Sequence, residues 1–116
     1  MEVAALAYVV VTARNPGEWR TFGEQVLGMA ATDCGAGLAL KMDERAGRVF
    51  VQPGAQDGYF ASGWELRGSA QFDAALAKLK AEGVPFHRAA PAERALRHVF
   101  DMVWFLDPAG NRHELA

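Results

Sequence analysis

The sequence repeats one order of structural elements, and this repeat limits the folds open to the chain. Two predicted helices end at Gly28 and Gly83, which lie 55 residues apart, and glycine is the residue most typical of a helix C-terminus. The hydrophobic patterns predict one strand before each helix and three short strands after it. An internal repeat of this kind favours two modules, each made of a strand, a helix and three strands.

The first module is predicted to cover residues 1–54. Its first strand, residues 3–12, is apolar and rich in β-branched residues, as buried strands are. Asn15 and Pro16 predict a helix start, because Asn can cap a free backbone N–H group and Pro fits the first turn. The helix should carry an apolar stripe of Trp19, Phe22, Val26 and Leu27. Three strands should follow at 29–34, 38–42 and 48–52, with turns at 35–37 and 43–47.

The second module is predicted to cover residues 58–116, after a turn-like connector. Ser69 is expected to cap its helix, whose stripe is Phe72, Leu76 and Leu79. Pro85 predicts that the strand at 84–88 lies at a sheet edge. Residues 89–95 are expected to form a loop. The remaining strands are predicted at 59–66, 99–106 and 111–115, with an Asp-Pro-Ala-Gly turn at 107–110.

Composition excludes several classes of protein. The 116 residues fit one domain, and 51% of them are hydrophobic, which is enough for a core. A net charge of −2, without a basic cluster, argues against nucleic acid as a partner. Cys34 is the single cysteine, so disulfide frameworks and thiolate metal cages are excluded and a reducing cytoplasm is expected. The apolar run at 9–11 is too short for a membrane helix or a signal peptide. Because the last residue follows a predicted strand directly, we expect a chain cut at a domain boundary.

Several short motifs keep their order and spacing over nearly the whole chain. They are Ala5-Leu6-Ala7-Tyr8, Glu18-Trp19-Arg20, Val26-Leu27-Gly28-Met29, Lys41-Met42-Asp43, Arg48-Val49-Phe50-Val51, Pro53-Gly54, Gly63-Trp64-Glu65 and residues 105–112. With the doubled module, this set resembles the vicinal oxygen chelate superfamily, which includes glyoxalases, antibiotic-resistance proteins and type I extradiol dioxygenases. The chain is most similar to the N-terminal domain of two-domain extradiol catechol dioxygenases, above all those that act on bicyclic or steroid-derived catechols.

The resemblance implies an α+β fold in which two tandem βαβββ modules form a half-open barrel with a helix outside each. It also implies a separate C-terminal domain that holds Fe(II) through two His and one Glu, and a metal-free N-terminal duplicate. The positions equivalent to metal ligands in this chain are Tyr8, Gln52, Ala61 and Glu114. Only Glu114 matches the family's ligand set. We therefore predict no catalytic, cofactor-binding or metal-binding residue in this chain, and a lone carboxylate cannot build a useful site.

Several other residues are functional candidates. Glu65 and Glu114 could form an acid–base pair, but buried carboxylates need partners, and Arg48, Arg97 and Arg112 are the expected ones. The three histidines, His87, His98 and His113, lack ligand spacing and should face solvent or cap elements, with His113 on the strand face opposite Glu114. Trp19, Trp64 and Trp104 could line a cavity, although core packing is favoured. Cys34 should be an unreactive, turn-proximal residue.

The function that the resemblance implies is structural. We predict a non-catalytic N-terminal domain of an Fe(II)-dependent extradiol ring-cleavage dioxygenase that acts on catechols. Its expected partners are a C-terminal catalytic domain or a second copy of the chain, within a homo-oligomer. The alternative is a stand-alone, metal-free, dimeric small-molecule binding protein of the glyoxalase or bleomycin-resistance kind, which could hold a small aromatic ligand. An active single-domain metalloenzyme is the least favoured interpretation.

Overall fold

The computed structural model describes all 116 residues. Eight strands and three helices follow one another along the chain. In order they are β1 (Ala5–Ala13), α1 (Pro16–Gln25), β2 (Ala30–Cys34), β3 (Gly37–Lys41), β4 (Val49–Pro53), β5 (Gly58–Glu65), α2 (Gly68–Ala81), β6 (His87–Arg88), α3 (Pro91–Arg97), β7 (Val103–Leu106) and β8 (Arg112–Leu115). None of the helices combines the length and the hydropathy that crossing a membrane requires.

All eight strands form one sheet in the order β2-β3-β4-β1-β5-β8-β7-β6. Each half has the same arrangement: the first strand of a module pairs in parallel with its last strand, β1 with β4 and β5 with β8. The two halves join through the antiparallel pair β1 and β5. The predicted α+β fold of two βαβββ modules is confirmed. The sheet stays open, because β2 and β6 remain at its edges.

The two long helices pack on one side of the sheet, which we call the outer face. In α1, Gly23 is the buried residue, and a Cβ atom there would lie 2.6 Å from Leu40 Cδ2. Because glycine has no Cβ atom, the helix backbone can approach β3 closely. In α2, the apolar stripe reaches Val103 and Leu115 of the second module, through a cluster that includes Phe72.

Because side chains alternate along a strand, every second residue of each strand points to the other side of the sheet. We call this side the inner face. It carries a second apolar cluster of Ala7, Tyr8, Val10, Ala39, Phe50 and Ala61. The short helix α3 lies at this face, and module one has only the tight turn 35–36 where module two inserts α3. The inner face is therefore where the two modules differ most.

The predicted loop at 89–95 is wrong, because residues 91–97 form α3. Pro91 occupies the first turn of this helix rather than breaking it, and Glu93 Oε1 accepts a hydrogen bond from Ala90 N at 3.2 Å. Because of this helix and the residues that follow it, the two neighbouring strands are shorter than predicted. The strand predicted at 99–106 begins only at Val103, and the strand predicted at 84–88 is reduced to His87–Arg88, although its edge position is confirmed.

Two details of the long helices also differ from expectation. Asn15 caps α1 as predicted, since its side chain accepts from Gly17 N at 3.2 Å. Ser69 does not cap α2: Arg67 takes the cap position without a side-chain bond, because Gly68 adopts a φ of +86° and turns the chain earlier. The apolar stripe predicted for α1 is largely exposed: Phe22 is 44% exposed, and Val26 and Leu27, which follow the end of the helix, are 68% and 49% exposed.

Candidate functional site: a buried carboxylate network

Glu114 lies on β8, where the strand runs parallel to β5 and pairs with Gly63. The predicted alternation holds: Glu114 and Arg112 point to the inner face, while Leu115 belongs to the core beneath α2 and His113 shares its side. The Glu114 side chain is fully buried, at 0% exposure. A buried carboxylate is costly unless it is paired and hydrogen-bonded. Its partners therefore define this site.

Four hydrogen bonds reach the Glu114 carboxylate. The Tyr8 hydroxyl donates to Oε1 at 2.6 Å, and Arg97 donates from Nε to Oε1 at 2.9 Å and from Nη2 to Oε2 at 3.3 Å. Arg112 Nε donates to Oε2 at 2.9 Å. A carboxylate offers about four acceptor positions, so Glu114 is saturated by protein donors. The predicted pairing of Glu114 with arginine is confirmed for Arg97 and Arg112.

Arg112 is held in a fixed position by its neighbours. Its guanidinium carbon lies 4.3 Å from the centre of the Trp104 ring and 5.2 Å from that of Phe60, so the cation stands between two aromatic groups. Arg112 Nη2 also contacts Glu93 of α3 at 3.1 Å. This contact ties β8 to the helix that the sequence did not predict.

Arg97 lies in the last turn of α3 and donates to Glu114 from the inner face of the sheet. Its guanidinium carbon lies 5.9 Å from the Tyr8 ring centre and 5.5 Å from the Phe50 ring centre. The helix is also anchored to module one, because Cys34 Sγ donates to Leu96 O at 3.1 Å. Burial raises the pKa of the Cys34 thiol, which agrees with the prediction of an unreactive cysteine.

The electrostatics of the network favour an ionised carboxylate beside a neutral phenol. Burial alone would raise the pKa of Glu114, but the hydrogen bonds and charge of Arg97, with help from Tyr8 and Arg112, hold that pKa below its usual value. The pKa of Tyr8 is raised, first by burial and then by the Glu114 charge. The Tyr8 hydroxyl therefore remains a donor.

The four ligand-equivalent positions are only partly brought together. Tyr8 and Glu114 are in direct contact, and Ala61 lies in the same inner-face cluster but offers only a methyl group. Gln52, on β4, does not bond to Glu114, and its amide donates to Thr12 Oγ1 at 3.3 Å. No three His, Cys, Asp or Glu side chains converge anywhere in the chain.

These residues do not fit a divalent iron ion. Two guanidinium groups already neutralise Glu114, and a metal would have to displace them and the Tyr8 hydroxyl. The network is instead a structural ion cluster in which arginine side chains supply the positive charge that the buried carboxylate needs.

The remaining carboxylate candidate, Glu65, is also paired, but with a partner that the sequence did not suggest. Arg45 Nη2 lies 2.5 Å from Glu65 Oε2, whereas Arg48 pairs with Asp43. Both arginines lie at or beside the loop 43–47, and only the geometry of that loop decides which one reaches which acid. The favoured interpretation, that each of these carboxylates pairs with an arginine and not with the other carboxylate, is confirmed.

The histidines divide into two groups. His98 ends α3 in a left-handed conformation with φ of 57°, and His87 is exposed and stacks on an aromatic ring, in line with the prediction. His113 differs, because it is half-buried between Trp64 and Asp107. Trp64 Nε1 donates to Nδ1 and Nε2 contacts Asp107, both at 2.9 Å, so Nε2 carries the proton in the neutral ring. The hydrogen bond from His113 is the main reason that the pKa of Asp107 is lowered to about 2.

The tryptophans lie mainly in packing positions, as predicted. Trp19 packs against the core cluster beneath α1, and Trp64 against the one beneath α2. Trp104 supports Arg112 on the inner face. Trp64 is also among the residues that border a cavity at the inner face, but its indole lies on the outer side, where Nε1 donates to His113.

We expect Tyr8→Phe to lower the free energy of unfolding by about 1.5–3 kcal/mol at pH 7, because it removes a hydrogen bond to a buried charge. Since the pKa of Tyr8 is raised in the folded state, the hydroxyl stabilises the protein below its ordinary pKa of 10.0 and less so as the pH rises above it. The difference between the two proteins should therefore shrink above that pH. Urea unfolding at several pH values measures both effects.

Tyr59→Phe is the matched control, because it removes an exposed hydroxyl that contacts only Ser62. It should cost less than about 1 kcal/mol. Equal losses for the two variants at pH 7 would contradict the special role of the Tyr8 hydroxyl.

Sequence comparison finds relatives of this chain among dioxygenases. Residues 6–54 match the sequence family described as Dihydroxybiphenyl dioxygenase BphC D1. The chain is 34% identical to an iron-dependent extradiol dioxygenase of Rhodococcus jostii, over 98% of this chain and 39% of the relative. It is also 34% identical to a biphenyl-2,3-diol 1,2-dioxygenase of Sphingomonas paucimobilis, over 97% of this chain and 38% of the relative.

Solved structures with a similar fold are also dioxygenases. A catechol 2,3-dioxygenase superposes with a TM-score of 0.90 at 30% identity, covering 99% of this chain and 41% of that one. The structure of BphC, a halotolerant catechol dioxygenase, superposes with a TM-score of 0.87 at 34% identity, covering 97% and 39%. The chain thus spans about two fifths of the length of the relatives it matches. In sequence and in fold, it is similar to a part of these dioxygenases.

Proposed function

We propose that the chain is the metal-free, non-catalytic N-terminal domain of an Fe(II)-dependent extradiol dioxygenase that opens catechol rings in the breakdown of aromatic compounds. The observation that carries this proposal is the extent of the similarity. The chain aligns over 97–98% of its length with only 38–39% of two ring-cleaving relatives, which leaves room in them for another domain.

The saturated carboxylate supports the metal-free part of the proposal. Glu114 is the single residue that matches the family's ligand set at these positions, and its acceptor positions are occupied by protein donors. The iron would lie in a separate C-terminal domain, where it would chelate the catechol and activate O₂. No catalytic step is assigned to the residues described here.

The role left to this domain is to pack against its catalytic neighbour and to contribute to contacts within a homo-oligomer in the cytoplasm. We propose one domain of two modules, residues 1–54 and 58–116. Exposed apolar side chains on and beside α1 support a packing role. They are Phe22, Val26, Leu27 and Met42, with exposures between 44% and 71%.

Metal content and activity test the proposal. The chain alone should bind no stoichiometric Fe(II), Zn(II) or Ni(II) and should not cleave 2,3-dihydroxybiphenyl, because the inner face offers no open ligand set. The product of the complete reading frame should bind about one iron per chain and form the ring-opened product. Calorimetry, metal analysis and absorbance assays measure these quantities.

Two outcomes would overturn the proposal. One is stoichiometric metal binding by the chain alone that disappears in Glu114→Gln, since that would make Glu114 a true ligand. The other is a reading frame that ends at Ala116 and yields a stable symmetric dimer in sedimentation, which would favour the binding-protein alternative.

A further inference from the structure

A cavity of about 280 Å³ lies at the inner face, between β1, the loop 43–47 and the end of α3. Its walls are mostly apolar, and two aromatic side chains of the inner face, Tyr8 and Phe50, border it. Its volume is at the lower end of the range for small-molecule sites, which limits an occupant to about one ring. Flat apolar walls of this kind suit an aromatic group.

Arg97 is the more deeply buried of the two guanidinium groups that border this cavity, with 8% of its side chain exposed against 35% for Arg45. Its Nε and Nη2 atoms are used on Glu114, whereas Nη1 has no acceptor in the protein. Arg97 borders the cavity, and Nη1 is its nitrogen without an acceptor. The other guanidinium at the cavity wall, that of Arg45, is already paired with Glu65.

The charge balance of the buried groups favours an anion. Arg97, Arg112 and Glu114 have side-chain exposures of 8%, 14% and 0%, and together they carry one net positive charge. The second acid of the network, Glu93, is 41% exposed, so solvent screens its charge. A single carboxylate beside Arg97 would balance the buried cluster.

We propose that this cavity binds a small aromatic monocarboxylate, with its carboxylate on Arg97 Nη1 and its ring against the aromatic walls. The site is separate from any metal centre and does not depend on the proposed function. It uses a nitrogen of Arg97 that the protein leaves without an acceptor.

Titration of the ¹⁵N-labelled chain with benzoate tests the proposal. Amide signals of Ala7, Ala46 and Val99, which border the cavity, should shift and saturate. Benzyl alcohol, a neutral molecule of similar shape, should bind at least about tenfold more weakly, because a hydrogen bond between charged groups is lost. Absence of saturable shifts with benzoate, or equal binding of the two molecules, would overturn the proposal.

A pair of variants tests the location. Ala46→Leu places a larger side chain at the cavity wall and should weaken benzoate binding at least about tenfold. Ala77→Leu makes the same change at an exposed position of α2 that borders no cavity, and it should leave binding unchanged. The ¹⁵N spectra report whether each variant is folded. Unchanged binding in folded Ala46→Leu would place benzoate elsewhere and overturn the proposed site.

Discussion

Replacing Glu114 with glutamine is expected to lower the free energy of unfolding by about 3–5 kcal/mol, because it removes the charge that compensates a buried arginine. Arg97 is the residue most affected, since its side chain is 8% exposed and both of its bonded nitrogens are on Glu114. The glutamine side chain keeps one oxygen as a hydrogen-bond acceptor, but it carries no negative charge to compensate Arg97. Urea unfolding at pH 7, followed by circular dichroism, measures the loss.

Glu93→Gln is the matched control, because Glu93 also contacts the network but lies partly in solvent. The same change of charge should cost no more than about 1 kcal/mol there, as for other exposed ion pairs. If the two variants lose the same stability, burial does not decide the strength of the network and the interpretation is wrong.

A double variant separates charge from shape. In Arg97→Met/Glu114→Gln the uncompensated cation is gone, so part of the stability lost in Glu114→Gln should return. Failure to recover any stability would mean that the geometry of the four hydrogen bonds, rather than charge compensation, holds α3 to the inner face.

The elements that the sequence predicted well depend on local chemistry. The turn before β8 is an example: Asp107 Oδ1 accepts from Ala109 N and Asn111 N, each at 2.9 Å, and Gly110 adopts a φ of +85°. Turn residues and strand alternation act over a few positions, so they can be recognised without the rest of the fold. The orientation of Glu114 follows from the same alternation.

The features that sequence reasoning missed depend on contacts between distant segments. Helix α3 is only 7 residues long, which is too short for a clear periodic pattern, and its opening Pro91 is equally typical of a loop. Its position is set by Arg97 and by the contact of Cys34 with Leu96, which are 62 residues apart. The charged partners were expected, but the helix that carries Arg97 to Glu114 was not.

Gly63→Ala is expected to be the most damaging single-methyl change near the site, with a loss of about 3 kcal/mol or more, because overpacking forces buried groups to move. A Cβ atom at Gly63 would lie 2.1 Å from Tyr8 Cζ and 2.3 Å from two further ring atoms. The ring is buried and packs edge-on against Phe50 at a centroid distance of 5.1 Å, so it has little room to retreat. Thermal and urea unfolding measure the loss.

Gly58→Ala in the same strand is the matched control. A Cβ atom there meets nothing within 4 Å, and the residue does not need a positive φ. Its stability should change by less than about 1 kcal/mol, because the stiffer unfolded chain offsets the cost of adding a side chain. Losses of similar size at the two positions would mean that strand propensity, rather than the Tyr8 ring, explains the effect.

A second substitution at residue 8 shows which part of the tyrosine collides with the Cβ atom added at Gly63. Adding Tyr8→Phe to Gly63→Ala should restore nothing, because the colliding atoms belong to the ring. Adding Tyr8→Val should restore part of the stability, since it removes the ring, although the Glu114 carboxylate then lacks one donor. Recovery with phenylalanine would place the conflict at the hydroxyl instead. Recovery only with valine supports the conclusion that the bare backbone of Gly63 gives Tyr8 the space to reach Glu114.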